Sequence, residues 1–408
     1  SELSPAARLS GTVSASADNL VAFTEALIRI TGLPQPRLPP LLAGKFKFDS
    51  PVDLSPTAVT AKGYKLTLGG DSGSGSLALS LTPSLAIEAS FTAPRLDLDR
   101  WLAALPHPDQ VPPPPEVPTA TPASAARPAA LGWLATLNAK LAIEAGEVVY
   151  NKKPVRNVAL ELEARGGAVA VPKFTALLPG DLDVQARSTF SGNPTRPTVS
   201  GDFSLSGPKL RETLAWLAVD VSSIPASKLT QLRVTGRMGS SGGNVEVNQA
   251  VFELDELRGA GGIVVSFTVP LSVVTHVELG TLDLDSYMPP SGSAAARSPA
   301  SSVTPILALL GPSIGLKLKV AKIDYNGDAI TGVDIDVKRD AGTLWMNSVK
   351  VANLASARIA LRGAVANYWT PHPRADFAFD VEASDMDRVL KLAGGTPAGL
   401  GAVHLRGG

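Results

Sequence analysis

The chain of 408 residues contains no cysteine, which removes disulfides, thiolate metal sites and cysteine nucleophiles together. It has no excess of either charge: 37 Lys and Arg stand against 37 Asp and Glu. Nucleic acid is therefore not an expected partner, because phosphate binding needs a concentrated positive field. Aromatic residues make up 5% and histidine occurs four times, at His107, His276, His372 and His404, each alone in sequence and expected at the surface or in a turn. Apolar runs are also short. Stretches such as Ile306–Leu310 are about one helical turn, so no transmembrane helix or signal peptide is expected in these residues. The chain opens on Ser1 and closes on Arg406-Gly407-Gly408 in mid-pattern, the expectation for a fragment of a longer protein.

What is present is alternation. Leu77, Leu79 and Leu81 are separated by Ala78 and Ser80. Val158, Leu160 and Leu162 alternate with Ala159, Glu161 and Glu163. Val333, Ile335 and Val337 alternate with Asp334, Asp336 and Lys338, and Phe377 and Phe379 with Ala378 and Asp380. Successive side chains of an extended chain point to opposite faces, so each run has one apolar and one polar face. Turn residues punctuate the runs, as at Gly69-Gly70-Asp71, Gly166-Gly167, Gly192-Asn193-Pro194, Asn326-Gly327-Asp328 and Asp340-Ala341-Gly342. With 37 Gly and 34 Pro in the chain, the composition is that of many turns. The expected fold class is mainly β: an elongated, repetitive antiparallel sheet with short helices where strand segments end, its apolar face hidden either in a sandwich or by curling lengthwise into an apolar groove. Helical patterns are short: Asp18–Ile30, Asp99–Leu105, Lys209–Ala218, Asp385–Leu392, a weaker Asp285–Met288, and Leu131–Asn138 and Val303–Leu310. Asp18, Asp99 and Asp385 stand at expected N-caps.

The chain also repeats itself. Val59–Asp99 aligns without a gap with Val245–Asp285, matching Leu66 and Leu68 to Phe252 and Leu254, and Gly73 and Gly75 to Gly259 and Gly261. In the same match Leu96-Asp97-Leu98-Asp99-Arg100-Trp101 falls on Leu282-Asp283-Leu284-Asp285-Ser286-Tyr287. A second pair, Glu147–Leu214 and Lys322–Leu390, matches Val149-Tyr150-Asn151 to Asp324-Tyr325-Asn326 and Val158 to Val333. The organisation read from this is a preceding copy ending in 1–32, a first copy at 41–226, a second at 227–395 and the start of a later one at 396–408. Within the first copy a half-module 41–105, a Pro-rich linker 106–130 and a full module 131–226 follow one another. In the second copy the corresponding parts are 227–288, 289–302 and 303–395.

No catalytic constellation emerges. The Asp97/Asp99, Asp283/Asp285 and Asp385/Asp387 pairs have the look of calcium or acid–base carboxylates. Each, however, joins a strand to a short helix, so one Asp is expected to cap the helix and the other to face water. Gly70-Asp71-Ser72-Gly73-Ser74-Gly75 lacks the Lys of a phosphate loop and reads as a hairpin. No nucleophile elbow or Ser/His/Asp set can be assembled. Trp101, Trp133 and Trp216 fall in the short helices and are expected to pack them on the sheet. Neither catalytic residues, nor metal ligands, nor a cofactor are expected, and the chain reads as a non-enzyme.

Two stretches resemble a known family. Gly75–Leu102, through Leu77-Ala78-Leu79-Ser80-Leu81-Thr82-Pro83-Ser84-Leu85-Ala86-Ile87 and Arg95-Leu96-Asp97-Leu98-Asp99-Arg100-Trp101, is similar to the AsmA family of Gram-negative envelope proteins. So is the series Leu178-Pro179-Gly180-Asp181, Gly192-Asn193-Pro194-Thr195, Gly201-Asp202-Phe203 and Leu210-Arg211-Glu212-Thr213-Leu214. The resemblance implies a periplasmic β region of an inner-membrane-anchored protein, similar to bridge-like lipid-transfer proteins and involved in outer-membrane assembly. The family's N-terminal anchor is not found in these residues. On that reading the groove holds phospholipid or another acyl-chain lipid and conducts it passively between the inner and outer membranes, which, or whose proteins, are the expected partners. The candidate lipid-contacting residues are Leu66, Leu68, Leu77, Leu79, Leu81, Val158, Leu160, Leu162, Ile263, Val265, Phe267, Val333, Ile335, Val337, Phe377 and Phe379. The alternative is a structural or interaction β-repeat protein of the envelope without lipid transport, whose apolar faces would meet in a dry core.

Overall fold

A computed structural model of the chain describes residues 8–19, 44–82, 84–103, 138–193, 196–266, 272–288, 313–340, 342–368, 372–392, 395–396 and 398–408. The linkers 106–130 and 289–302, the segments Leu131–Asn138 (up to 137) and Val303–Leu310, nearly all of Asp18–Ile30, and Trp133, His107 and Phe267 lie outside the described residues. The protein is mainly β; the described residues form strands β1 to β20 and three short helices, and the chain divides into two compact units. Unit 1 comprises Ser1–Pro179 with Asp183–Pro194, and unit 2 comprises Gly180–Leu182 with Thr195–Gly408. This division cuts the sequence at a place other than the boundary between the repeat copies.

In unit 1, β1 (Leu9–Ala17), β2 (Phe46–Ser55), β3 (Ala58–Leu68), β4 (Asp71–Ser80) and β5 (Ala86–Asp97) pair in series, all antiparallel. Helix α1 (Leu98–Ala103) follows. Then β6 (Asn138–Tyr150) lies parallel to β5, and β7 (Lys153–Arg165) and β8 (Ala168–Leu178) resume antiparallel pairing. β9 (Leu182–Asn193) completes the unit.

Unit 2 repeats the scheme. β10 (Arg196–Gly207), helix α2 (Leu210–Trp216), β11 (Leu232–Ser241), β12 (Asn244–Leu254), β13 (Leu257–Ser266) and β14 (Ser272–Asp283) pair antiparallel in series. A 3-10 turn, Asp285–Tyr287, stands where α1 stands in unit 1. β15 (Ser313–Tyr325) is parallel to β14. β16 (Asp328–Asp340), β17 (Thr343–Leu354), β18 (Ala357–Ala366), β19 (Arg374–Ala383) and β20 (Val403–Gly407) then run antiparallel, with helix α3 (Met386–Leu392) before β20.

The expectation of a mainly β, antiparallel-dominated sheet with short helices at strand ends holds, with one amendment. β5–β6 and β14–β15 are parallel, whereas a plain meander has only antiparallel neighbours. A parallel pair needs a crossover of roughly a dozen residues or more. Both parallel pairs coincide with the two long connections, 98–137 and 284–312, that separate half-module from full module. Alternation alone carries no information on strand direction, so the reversal was invisible in the apolar pattern.

The two units share details of backbone that the residue types alone do not announce. Gly63 interrupts the β3 register with φ of 70°, and its repeat counterpart Gln249 interrupts β12 with φ of 54°. Each is a bulge, which adds one residue to its strand and sharpens the local twist. Asn157 and its counterpart Gly332 are likewise left-handed, at φ of 51° and 62°. A glutamine in this region carries a steric cost that glycine does not. Gln249→Gly is therefore expected to raise stability by up to about 1 kcal/mol, and Gly63→Gln to lower it by a similar amount. Urea denaturation of the two variants checks this; equal midpoints for Gln249→Gly and the parent chain would contradict it.

Candidate functional site

Cross-strand partners in a sheet share a face, so the register decides which side chains line which surface. In unit 1, Phe46 and Phe48 partner Leu68 and Leu66 across β2–β3. Val59 partners Leu79, which partners Ile87, and Ala61 partners Leu77, which partners Ala89. Across the parallel pair Ala89, Phe91 and Ala93 face Leu141, Ile143 and Ala145. These in turn partner Leu162, Leu160 and Val158, and Leu160 partners Phe174. One apolar surface thus runs from β2 to β8. The candidates Leu66, Leu68, Leu77, Leu79, Val158, Leu160 and Leu162 all lie on it. Leu81 lies just past the end of β4, exposed, with its backbone N–H donating to the Thr57 carbonyl at 2.8 Å.

Unit 2 has the same construction. Phe252 partners Val234 and Gly259, and Val265 and Ile263 partner Val273 and Thr275. Val273, Thr275 and Val277 face Ile314, Leu316 and Leu318 across the parallel pair. Leu316, Leu318 and Val320 partner Val337, Ile335 and Val333. The row continues through Met346, Val349 and Val351 to Gly363, Leu361 and Ile359, then to Phe377, Phe379 and Val381. Ile263, Val265, Val333, Ile335, Val337, Phe377 and Phe379 are therefore on one face of unit 2. The candidate set omitted Phe46, Phe48, Phe91, Ile143, Phe174, Phe252, Leu316, Leu318, Val349 and Leu361 on the same surfaces. Their strands carry the same alternation, which was the available signal.

These faces are only partly withdrawn from water. Leu77 and Ile263 are 39% exposed and Phe379 is 40% exposed, while the small Ala93 and Ala145 between the larger residues are buried. Among the described residues the largest side chain fully withdrawn from solvent is that of Val320. A face-to-face sandwich would instead bury its Leu and Phe between interdigitating layers. The Tyr64 hydroxyl is satisfied: Tyr64, which lies near Phe48 with ring centroids 5.7 Å apart, donates it to the Ser90 carbonyl at 2.8 Å.

The opposite faces are polar and charge-matched. Lys140 approaches Glu163 at 3.6 Å, Arg95 approaches Glu147 at 3.5 Å, and Lys317 approaches Asp336 at 3.7 Å, all cross-strand partners. On β19–β20, Asp380 accepts from Arg406 Nε at 3.1 Å and pairs with His404 Nε2 at 2.9 Å. Contacts of this exposed kind contribute little each, because solvent screens them. His404 is exposed on β20, at the surface as expected, and His276 lies half-buried in β14 rather than in a turn.

The Asp-x-Asp motifs are structural, but differently from expectation. Asp97 accepts the Arg100 N–H at 2.9 Å, Asp283 the Ser286 N–H at 3.3 Å and Asp385 the Arg388 N–H at 3.1 Å, so the first aspartate of each pair is the cap. Asp99, expected as a cap, is not one. The second aspartate does not simply face water either; it grips backbone. Asp99 accepts the N–H groups of Asn151 and Lys152, both at 2.7 Å, and Asp285 accepts that of Asn326 at 2.7 Å. Both thereby fasten the strand–helix junction to the hairpin turn that follows the parallel strand. Asp387 accepts from Ala398, Gly399 and Leu400 at 2.9 to 3.1 Å, and those hydrogen bonds hold its carboxyl below the usual aspartate range. Sequence spacing alone does not reveal the grip, because its partners are backbone groups far along the chain.

Two aromatic tips complete these junctions. Trp101 in α1 donates its indole N–H to Asp71 at 2.7 Å, and Arg100 pairs with the same carboxylate. Trp216 is buried on α2. In unit 2 Tyr287 replaces Trp101 and has Lys228 Nζ 5.3 Å from its ring centroid. Beside it, Asp255 accepts from the Thr230 hydroxyl at 2.6 Å and from the N–H groups of Leu229, Thr230 and Gln231 at 2.7 to 3.0 Å.

Among the described residues no helix is long and apolar enough to cross a membrane, and no group of His, Asp and Glu is arranged to hold a metal ion. Compared with known proteins, the chain matches no family model, no curated protein and no solved structure.

Burial raises the Asp255 carboxyl, but the hydrogen bonds from Thr230, Gln231 and Leu229 outweigh it and hold the group below its ordinary value of 3.8. A depressed native value contributes stability that is complete above the ordinary value and disappears as pH falls through the native one. Asp255→Asn is thus expected to destabilise the chain at neutral pH and to lose less further stability below about pH 4 than the parent does. Urea midpoints at neutral and acid pH check this, and parallel pH profiles for the two proteins would contradict it.

Proposed function

We propose that the protein is a periplasmic β-groove segment of the AsmA-like kind, which holds phospholipid acyl chains on its apolar face and lets them pass passively between the inner and outer membranes in support of outer-membrane assembly. The observation that carries the reading is the pair of one-sided apolar faces, each running across many strands and left half-exposed among the described residues. Bulges such as those at Gly63 and Gln249 favour curling of such a sheet rather than stacking of two flat layers. Headgroups would remain at the open edge, near water. The resemblance of Gly75–Leu102 and Leu178–Leu214 to that family supports the compartment and the partner membranes.

Hydrocarbon is the ligand such a face suits. Burying a methylene gains roughly 0.8 kcal/mol and asks for no directional contact, so a chain can slide along a uniform row of Leu, Val, Ile and Phe. No chemical step is part of the reading; the direction of flow would follow the lipid gradient. A purely structural β-repeat would be expected to bury its apolar faces in a dry core, and the exposure of Leu77, Ile263 and Phe379 speaks against that.

Phospholipid is expected to co-purify with the chain, detected by mass spectrometry, and to be displaced by a fluorescent phospholipid. Leu79→Asp and Ile335→Asp each place a carboxylate among acyl chains and should weaken loading by about tenfold or more. Ser74→Asp, on the polar face beside Lys65, should not. Absence of lipid in the parent chain, or equal loss in all three variants, would overturn the proposal.

A further inference from the structure

On the apolar faces, phenylalanine repeatedly lies over glycine. Phe203 partners Gly236 across β10–β11, and Phe252 partners Gly259 across β12–β13. Phe379 partners Gly407 across β19–β20, and Phe91 in unit 1 covers Gly73. A methyl group built on Gly236 would come within 2.8 Å of the Phe203 ring, one on Gly259 within 2.4 Å of the Phe252 ring, and one on Gly407 within 2.7 Å of the Phe379 ring. The ring carbons therefore occupy the space that a side chain on the neighbouring strand would fill. In each case the ring lies down across the sheet instead of standing away from it.

Resting on the acyl-lipid reading above, we infer that these Phe–Gly pairs set the clearance over the apolar face, and so select straight hydrocarbon chains over branched ones. Strand glycines normally weaken a sheet, and an aromatic neighbour restores packing over the bare backbone. At Gly236 and Gly407, where only ring atoms crowd an added methyl, stability alone would be served as well by a valine or isoleucine with the ring upright beside it. The reclined ring differs in height. It covers the backbone while adding little relief, leaving a smooth floor on which a linear chain makes contact along its length. A methyl branch standing off that chain finds no recess to enter, because the rings have already filled the gaps above the glycines. Gly236 and Gly407 are the cleanest cases, since the ring is the nearest obstacle to an added methyl and the backbone is not.

The test uses the full chain and cis-parinaric acid, a straight-chain fatty acid whose fluorescence rises in apolar surroundings, with palmitic and phytanic acids as linear and branched competitors. The parent chain is expected to bind the probe and to release it to palmitic acid at about tenfold lower concentration than to phytanic acid. Gly236→Ala lifts the Phe203 ring and should weaken palmitic acid by about fivefold or more, while the double variant Phe203→Leu with Gly236→Ala should return it to within about twofold of the parent. Phe203→Leu alone, which adds no atom over the glycine, should narrow the preference for palmitic over phytanic acid and decides the matter if Gly236→Ala does not fold. A parent chain that binds no probe overturns the acyl-lipid reading and this inference with it. A parent chain that binds the probe overturns the clearance role alone if Gly236→Ala loses urea stability but keeps its affinity, if the double variant fails to restore it, or if Phe203→Leu leaves the preference unchanged.

Discussion

The structure depends on strand register. A β-strand turns successive side chains to opposite faces, so a slip of one residue exchanges the two surfaces of a strand completely. Here the partners Leu160 with Ile143, Leu318 with Ile335, and Leu361 with Phe379 keep the main apolar row on the same side within each unit. Where a strand gains a residue, as at Gly63 or Gln249, the left-handed backbone absorbs it and the phase is recovered beyond it. Maintaining one face across so many strands gives an apolar surface from Phe46 to Phe174 in unit 1 and from Phe252 to Phe379 in unit 2, with polar positions such as Ser50, Tyr64, Thr275 and Arg339 set among the apolar ones.

The aspartate grips extend that constraint to the places where the chain leaves the sheet. A parallel pair cannot set its own register through a tight turn, as a hairpin can. Asp99 and Asp285 supply a substitute by tying the end of β5 or β14 to the backbone of the turn after β6 or β15. The capping partners Asp97 and Asp283 hold the first turn of helix in place beside them. A motif with the look of metal chemistry is thus a device for alignment. On the polar faces lysines and carboxylates stand opposite one another, as Lys140 does Glu163.

Much of this was legible in the amino-acid sequence, because the period-two pattern is a direct consequence of strand geometry and needs no knowledge of partners. The faces holding Leu77, Leu160, Ile335 and Phe377 follow from alternation alone, and the hairpin at Gly69-Gly70 follows from its residues. Four features did not follow. Strand direction at β5–β6 was hidden because parallel and antiparallel strands carry the same alternation. The grip of Asp99 on Asn151 was hidden because a backbone N–H is contributed by any residue type. The reclining of Phe252 over Gly259 was hidden because it needs the register, although both residues were visible as repeat counterparts of Leu66 and Gly73. Gln249 was hidden for a related reason: only its glycine counterpart advertises a left-handed backbone.

The account's central claim is that one face of alternating residues meets hydrocarbon and the other meets water. A photo-reactive acyl phospholipid, cross-linked to the intact chain and mapped by mass spectrometry, tests that claim most directly. The account predicts labelling with a period of two, on Leu77, Leu79, Leu160, Leu162, Ile335 and Val337 and not on Ser76, Ala78, Glu161, Glu163, Asp334 or Asp336. Labelling of both sets alike, or of neither, would contradict it.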